Sequence, residues 1–548
     1  MRPGKRHRRL PLRGVFSVGG LGDVWHKQAL SAVVALAVPD AVLLLLDRLD
    51  LAVYTSAGAL CALYAHGLPY RVRARTLLGV AAGMVASVGV ALTAAGLTGS
   101  APVLVVVAAL LAAAHKVACD AARIGPPGNL IFTFIGATCA FLPQRLGDVP
   151  FHLALVAAAA ALAWLVCMAP ALVRPEGPQR TAVARALEAA MRLAHAECPA
   201  ATRARHDAAA AVNAAWHTLL PSPEGRGRRA LERLLARVEA SLPAVPRDEA
   251  GLFANWAADL RRNRPVPEVS LGEAGAAGLA GIVLERAAPA GPGLLRMFHP
   301  ASPLFPIGVR VAVGSALAGL VSLAAGVGHP YWAVVTAAAV FQANATLSWQ
   351  RALQRALGNV VGLLVFTALL PVSRTGALAL VLLTLALQFS TEALMTRNYW
   401  LGTVCVTPMA LLLTELPGYQ PAWPLVRDRW LDTAVGVAAG LLGCLLVTNR
   451  RSAGRIDHAL RRVAAAQAAA RHLLARDPRE PGETARVRGV LVDALVELRR
   501  AADVAAGEWW QRALPEEQVA RAEREGHRLL ARLAVRDRDR VGCERTQG

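Results

Sequence analysis

Residues 76–114 read TLLGVAAGMVASVGVALTAAGLTGSAPVLVVVAALLAAA and contain no Asp, Glu, Lys or Arg. A helix that crosses a bilayer needs about 20 consecutive apolar residues, so this one stretch is long enough for two. Between residues 301 and 350 the only formal charge is Arg310. Elsewhere the pattern reverses, as in Glu224-Gly-Arg-Gly-Arg-Arg229 and Arg536-Asp-Arg-Asp-Arg540. The chain therefore alternates between lipid-like and water-like sequence. Its 548 residues are 55% hydrophobic and 18% charged, against roughly 45–50% and about 25% in soluble domains. A mean hydropathy of +0.41 excludes a disordered or fibrous chain, and the length exceeds what a single core organises.

Working outward, six apolar runs precede residue 175, at about 29–46, 51–67, 76–97, 101–121, 128–143 and 150–172. Six more follow at about 305–327, 330–346, 356–371, 375–394, 398–415 and 430–448. The first run carries Pro39-Asp40 and lacks a small-residue cleavage site, so it reads as a retained span rather than a signal peptide. The two sets share more than length. Arg71-x3-Arg75-x3-Gly79-x3-Gly83 recurs as Arg351-x3-Arg355-x2-Gly358-x3-Gly362, with Thr55 and Thr336 upstream and Arg123 and Arg397 between the fourth and fifth runs of each set. Six spans return the chain to its starting side, so the duplication is parallel.

The expected fold is an all-α polytopic membrane protein of two parallel six-helix repeats, about 12 transmembrane helices, with helical cytoplasmic segments. The boundaries are a basic N-terminus at 1–28, a first repeat at 29–172, a helical segment at 173–303, a second repeat at 304–448 and a helical tail at 449–548. Within 173–303, Arg180–Leu220, Glu224–Leu242 and Leu271–Arg286 show helical spacing. Arginines cluster at the first terminus, at 71–75, 123, 351–355, 397 and 450–451, which places both termini in the cytoplasm of a cell with an inner membrane. Tyr419, Trp423 and Trp430 then fit an outer interfacial anchor.

The formal charge is +21, from 59 basic and 38 acidic residues, and Lys5, Lys27 and Lys116 are the only lysines. The arginines are interleaved with acids or flank apolar runs, which points to membrane topology and not to nucleic acid. Eight cysteines include no Cys-x-x-Cys, so they read as small packing residues without a disulfide framework. His195, His206 and His217 recur every 11 residues on one expected helix face, but about 16 Å apart, too far for a shared metal. No Walker A loop, nucleophile elbow or metalloprotease spacing holds in context, so neither an enzyme nor a cofactor or metal site is expected. Gly79-x3-Gly83 and Gly358-x3-Gly362 read as close helix contacts.

Ionisable groups at membrane depth cost a few kcal/mol unless they face protein, water or a charged solute. Arg71, Arg75, Arg351 and Arg355 lie on i, i+4 faces and are expected to converge on a central vestibule that attracts carboxylates, or to anchor on lipid phosphates. Asp40, Glu392, His66, His115 and Asp120 are candidates for proton coupling. Glu392 is the strongest, or else forms a structural pair with Arg397. Thr336, Gln342, Asn344, Thr346 and Asn398 either line a path or bond across helices.

His329-Pro-Tyr-Trp-Ala-Val-Val-Thr336, then Gln342 and the Arg351 to Gly362 pattern, resembles the fusaric-acid-resistance family, which is related to aromatic acid exporters and to plant aluminium-activated malate channels. Asn359 stands where relatives commonly have Thr, and the first half has Leu51-Ala-Val-Tyr54-Thr55 in place of the Tyr-Trp-Ala signature. The resemblance implies an inner-membrane exporter of small organic anions, with aromatic carboxylates among the cargo, driven by the proton gradient and without a nucleotide cofactor. Tyr331 and Trp332 then contact an aromatic ring or anchor at the interface. A passive anion channel and a non-transporting scaffold are the alternatives. The expected partners are the lipid bilayer and the carried anion, with a homo-oligomer left open and no nucleic acid.

Overall fold

The computed structural model describes residues 13–16, 18–19, 25–122, 124–197, 200–222, 225–242, 245, 247–269, 299, 302, 304–342, 345–416, 418–446, 451–476, 483–506 and 516–546. The basic segment 1–10, Arg123, the expected helix Leu271–Arg286, Asn344, Arg450 and, in the tail expected to be helical, Pro478, Pro481 and Pro515 lie outside the described residues. Among the described residues the structure is helical, with no strand.

The first membrane half comprises α1 (Trp25–Leu45), α2 (Ala52–Ala59, with a 3-10 turn at each end), α3 (Tyr70–Leu97), α4 (Ala101–Ala121), α5 (Leu130–Ala140) and α6 (Val149–Met168). Four helices follow outside the apolar runs, α7 (Gly177–Ala194), α8 (Ala200–Leu219), α9 (Arg226–Ser241) and α10 (Arg247–Arg261). The second half repeats the sixfold pattern as α11 (Phe305–Ala324), α12 (Tyr331–Val340), α13 (Ala345–Ser373), α14 (Ala377–Met395), α15 (Tyr399–Glu415) and α16 (Ala422–Leu446). The tail forms α17 (Arg451–Leu474), α18 (Glu483–Ala506) and α19 (Glu516–Thr546).

Local chemistry sets several of these ends. α4, α6, α7 and α11 begin with proline in their first turn, where a missing N–H costs nothing. The Asn398 side chain caps α15 by accepting from the Trp400 N–H at 3.2 Å, satisfying one of the four orphan donors of a helix start. α11 stops before Gly326, whose φ of +75° suits a glycine after a helix end.

All twelve expected spans are helical, but they are not all spans of one kind. Seven described helices are long and apolar enough to cross a membrane, whereas 49–63, 130–140 and 331–340 are shorter. The short ones occupy the second place in each half and the fifth in the first half. They are also the most enclosed: every residue of α2 and α12 is buried. The all-helical polytopic architecture is thus present, with helices of unequal length at the expected positions. A short helix is tolerable at membrane depth only when protein surrounds its ends, and these are wrapped by longer neighbours.

The packing has an approximate twofold pattern. α1 lies on α14 and α4 on α11, so the first helix of each half meets the fourth of the other. α5 lies on α12, and α2 touches α15, so second and fifth helices meet at the centre. Within each half, helix two packs on helix six and helix three on helix five.

The glycine patterns behave differently in the two halves. A Cβ on Gly358 would come within 2.5 Å of the Thr403 Cβ, and one on Gly362 within 2.7 Å of the Thr407 Cβ, so α13 and α15 are in backbone contact there. Gly436 and Gly440 do the same for α16 against α12, at 2.7 Å from Thr336 and 3.1 Å from Val340. Gly79, by contrast, has nothing within 4 Å, and Gly83 meets only Phe132 at 3.4 Å. The close contact expected of Gly79 is therefore not made.

Outside the apolar helices, α7–α10 bury Leu187, Trp216, Leu234 and Phe253 in one core. The Trp216 Nε1 donates to Glu239 at 2.8 Å. The single helix expected over Arg180–Leu220 is broken between Ala194 and Ala200, on either side of Pro199. His195 falls beyond the end of α7, so the three histidines share no continuous helix face. The tail helices bury Val463, Leu491, Leu498 and Leu533 together. α18 joins the two bundles: Ala485 enters the first core and Arg488 lies 3.9 Å from Glu239.

Leucine at Gly358 or Gly436 should overpack these seams by about 1–3 kcal/mol and lower the melting temperature of the detergent-purified protein. Gly79→Leu should leave it unchanged. Equal melting of all three variants would contradict the backbone contacts.

Candidate functional site

The site grows from α13, where Arg351, Arg355 and Asn359 recur every four residues and so share one helical stripe. The facing helix α15 carries Tyr399, Thr403 and Thr407 at the same interval. Arg351, half-buried, lays its guanidinium 3.7 Å from the centroid of the Tyr399 ring. One turn on, buried Arg355 donates from Nη1 to the Tyr399 hydroxyl at 2.9 Å. One tyrosine thus serves two cations, the first through its π face and the second through its oxygen. A further turn along, Asn359 and Thr407 are bonded at 2.7 Å, and the Asn359 amide donates to the Thr433 hydroxyl of α16, also at 2.7 Å. That hydroxyl donates to the Arg429 carbonyl at 2.7 Å.

Arg429 is the residue that reading the sequence passed over. It is 2% exposed, and its guanidinium lies 4.6 Å from the Trp332 ring centroid. Its Nε and Nη1 are buried without a hydrogen-bond partner, as is the Arg355 Nε. Arg429 is within electrostatic reach of Arg355, Asp432, Tyr331 and Tyr399, which joins the α13 stripe to the aromatic pair of α12. Asp432 is fully buried, with one oxygen on the Ser322 hydroxyl and the other unpartnered. Nearby, Asp428 accepts from the Gly328 N–H at 3.0 Å, faces a His329 ring nitrogen at 3.1 Å and pairs with Arg427 at 3.0 Å. The guanidinium groups of Arg351, Arg355 and Arg429 therefore lie against Tyr399 or Trp332, and N–H groups on two of them are buried without a hydrogen-bond partner. Buried charge without a partner is costly, and an anion with an aromatic or apolar body would supply both the charge and the packing.

Several sequence-based expectations meet different outcomes. The structure brings Arg351 and Arg355 together on Tyr399. Arg71 and Arg75 do not join them, because both are exposed on α3. The buried arginine of that helix is Arg73, which donates from Nε to the Ala65 carbonyl at 3.1 Å, from Nη1 to Cys167 at 3.3 Å and from Nη2 to the His66 carbonyl. The first half also lacks the tyrosine: Asn129 precedes α5 as Asn398 precedes α15, but the next residue is Leu130. The structure thus brings two of the four arginines together, Arg351 and Arg355, and leaves Arg71 and Arg75 apart on the surface of α3.

Tyr331 and Trp332 are buried, not interfacial. Trp332 stacks on His329 at 5.2 Å, and Tyr331 lies 5.5 Å from Phe141 of the first half. Tyr419, Trp423 and Trp430 are the exposed aromatics of that region. Glu392 is buried and accepts from Gln388 at 3.1 Å. It does not pair with Arg397, which is exposed beyond the end of α14, because a five-residue step turns the chain to another face. Asp40 is 2% exposed with Oδ1 unpartnered, on the α1 helix that packs against the helix of Glu392. Asp120 pairs with Lys116 at 2.9 Å. His66 bonds the Ala62 carbonyl at 2.6 Å, and His115 packs on Phe132 with Nδ1 unpartnered. The buried Thr336 hydroxyl is unpartnered, Gln342 bonds the carbonyls of Ala339 and Phe341, and Asn398 takes a bond from Gln354 at 2.9 Å. Thr346, at the start of α13, is half-buried.

Comparison with known proteins finds a family match over this part of the chain. Residues 317–443 match the family described as fusaric acid resistance protein-like, and Arg351, Arg355, Tyr399, Arg429 and Asp432 all fall inside the match. The resemblance read from His329 to Gly362 is thereby shown. Over 172 residues the chain is 32% identical to the uncharacterized membrane protein YvaC of Bacillus subtilis, covering 31% of this chain and 27% of that protein. Over 144 residues it is 28% identical to the uncharacterized protein slr1298 of Synechocystis, covering 26% of this chain and 19% of that protein. The matches thus span about a quarter or less of these relatives' length. No solved structure matches the chain.

Tyr399→Phe keeps the ring under Arg351 but strands the Arg355 Nη1, at a cost of about 1–3 kcal/mol. The melting temperature of the purified variant should fall accordingly. Melting like the parent would show that the hydroxyl contributes no stability.

Proposed function

We propose that this protein carries small organic anions, aromatic carboxylates among them, out across the membrane through the second six-helix half, with a proton gradient driving the movement. The observation that carries this reading is the buried Arg429 guanidinium, unpartnered at Nε and Nη1 and seated on Trp332 at 4.6 Å. A carboxylate gives a guanidinium the bidentate, charge-assisted partner it lacks. Arg351 offers the anion a half-exposed entry, and Arg355 and Arg429 offer successive buried stations. Rings at Trp332 and Tyr399 favour cargo with an aromatic body.

The family match supports membrane transport in general; the cargo, the direction and the coupling belong to this proposal. Asp40 and Glu392 are the groups assigned to proton exchange. Both are buried carboxyls on packed membrane helices without an ion-pair partner among the described residues, where a proton is the simplest way to remove the charge. The distribution of arginine supports a topology with the helical bundles and both termini on the cytoplasmic side of an inner membrane.

The test is efflux of labelled benzoate and of an aliphatic carboxylate from proteoliposomes, with and without an imposed pH difference. Accumulation of benzoate against its gradient only under the pH difference is expected. Arg355→Gln and Arg429→Gln should each reduce the rate at least tenfold, while Arg71→Gln and Arg75→Gln leave it within about twofold, as the loss of about 1.4 kcal/mol per tenfold implies. Downhill flux alone would remove the proton coupling. Absence of flux for every anion would overturn the transport reading.

A further inference from the structure

The short segment ahead of α1 is bound to the same two helices that form the second-half site. Arg13–Phe16 makes a single helical turn that packs on α13. Val15 is 2% exposed, and its carbonyl takes two side-chain amides at once: Asn398 Nδ2 donates to it at 3.0 Å and Gln354 Nε2 at 3.3 Å. Gln354 Nε2 also donates to Asn398 Oδ1 at 2.9 Å, so the two amides form a linked cradle around one oxygen. Further along, the Gly19 N–H donates to the Arg397 carbonyl at 2.9 Å, and Trp25 at the head of α1 meets Phe389 of α14 edge-on at 5.8 Å.

Both amides adjoin the residues of that site. Gln354 follows Arg351 by three residues on α13, a spacing that makes them neighbours on the helix surface. Asn398 directly precedes Tyr399, whose ring carries the Arg351 guanidinium at 3.7 Å. Main-chain carbonyl and carboxylate oxygens accept the same amide donors, the carboxylate more strongly because it is charged. The Val15 oxygen therefore holds donors that an arriving carboxylate would use. Its own hold is slight. Among the described residues the segment is kept in place by hydrogen bonds to Gln354, Asn398 and Arg397 and by one buried side chain, while Phe16 and Val18 are each 59% exposed. Regions with few buried apolar contacts open at low free energy.

We propose that Arg13–Phe16, with Val18 and Gly19, is an autoinhibitory strap: its Val15 carbonyl occupies the Gln354 and Asn398 amides, and a carboxylate arriving at Arg351 displaces it and takes those donors. The strap's role rests on the second half being the anion path. It adds Gln354 and Asn398 to the groups that meet the anion first. Anion and strap compete for one pair of donors, so each weakens the other's hold by the same factor. Because Trp25 anchors α1 on Phe389, a released strap stays tethered beside the site and closes again once the anion has passed.

The test labels the full chain in nanodiscs with a water-soluble maleimide and reads the peptide carrying the new cysteine by mass spectrometry. Val15→Cys should react about ten times more slowly than Phe16→Cys. Saturating benzoate should raise the Val15→Cys rate about fivefold and leave the Phe16→Cys rate unchanged. Adding Gln354→Leu to Val15→Cys, which removes one of the two amides, should raise the rate without any anion. In the efflux assay Val15→Lys, whose charge opposes burial at this position, should speed benzoate release about threefold. Equal labelling of residues 15 and 16, or slow labelling of residue 15 that benzoate does not change, overturns the strap. Flux with an unchanged residue 15 leaves transport standing without it, and a benzoate-dependent rise without flux keeps the strap and removes transport.

Discussion

Two guanidinium groups one turn apart on α13 share Tyr399, one on its ring and one on its hydroxyl, and the rest of the second half is arranged to make that possible. Charge inside a membrane protein must be met from within, so α15 has to approach α13 closely enough for a single side chain to reach both. Gly358 and Gly362 provide that approach, since a side chain at either would collide with Thr403 or Thr407. With the helices so close, Thr403 and Thr407 fall on the same seam as Tyr399, and Asn359 bridges from it to Thr433 of α16. The polar ladder and the glycine pattern are consequences of one distance. Remove the glycines, and the tyrosine and the asparagine bridge lose their reach together.

The same constraint explains why the two halves, equal in pattern, are unequal in chemistry. Their packing matches pair by pair, first helix on fourth and second on fifth, which is what parallel duplication of one six-helix unit produces. Yet in the first half Leu130 follows Asn129 where Tyr399 follows Asn398, and Gly79 touches nothing. Without an aromatic acceptor the arginines at 71 and 75 have nothing inside to bind, and they face outward. The interior position goes instead to Arg73, answered by three carbonyls. That arrangement fixes the turn before α3, and Tyr331 of the second half packs against Phe141 of the first.

Much of this was legible in the residues. Uncharged runs such as 76–114 announce membrane helices, the repeated Arg-x3-Arg announces the duplication, and Arg351 and Arg355 were found because i, i+4 spacing places them on one face. What escaped has physical reasons. The depth of a helix is not written in its hydropathy: 331–340 and 130–140 are as apolar as any span, and only three-dimensional enclosure makes them short central elements. Arg429 sits in Arg427-Asp-Arg429-Trp430, a stretch that reads as a charged loop, and α16 in fact begins at Ala422 and carries it inward. The signal that was available was the fourfold spacing of Tyr399, Thr403 and Thr407, which mirrors that of Arg351, Arg355 and Asn359 and predicts a facing polar stripe. Glu392 and Arg397 misled for the opposite reason, since proximity in sequence across a helix end is not proximity on a face.

The second half also shows how a charge is kept available without being stabilised into inertness. A buried arginine beside a buried aspartate would ordinarily close into a pair, and a closed pair attracts nothing. Here Asp432 spends one oxygen on the Ser322 hydroxyl of α11, and the Arg429 guanidinium is drawn instead onto the Trp332 face. A cation held by a π face keeps its N–H edge available, because the ring occupies the flat side of the guanidinium while hydrogen bonds are made in its plane. Trp332 can hold that place because α12 is buried on all sides and because His329, on the turn before it, stacks at 5.2 Å and is itself turned towards Asp428. The shortness of α12, its enclosure by both halves and the unpartnered edge of Arg429 are therefore a single arrangement: a helix surrounded by protein carries the ring on which that buried cation rests.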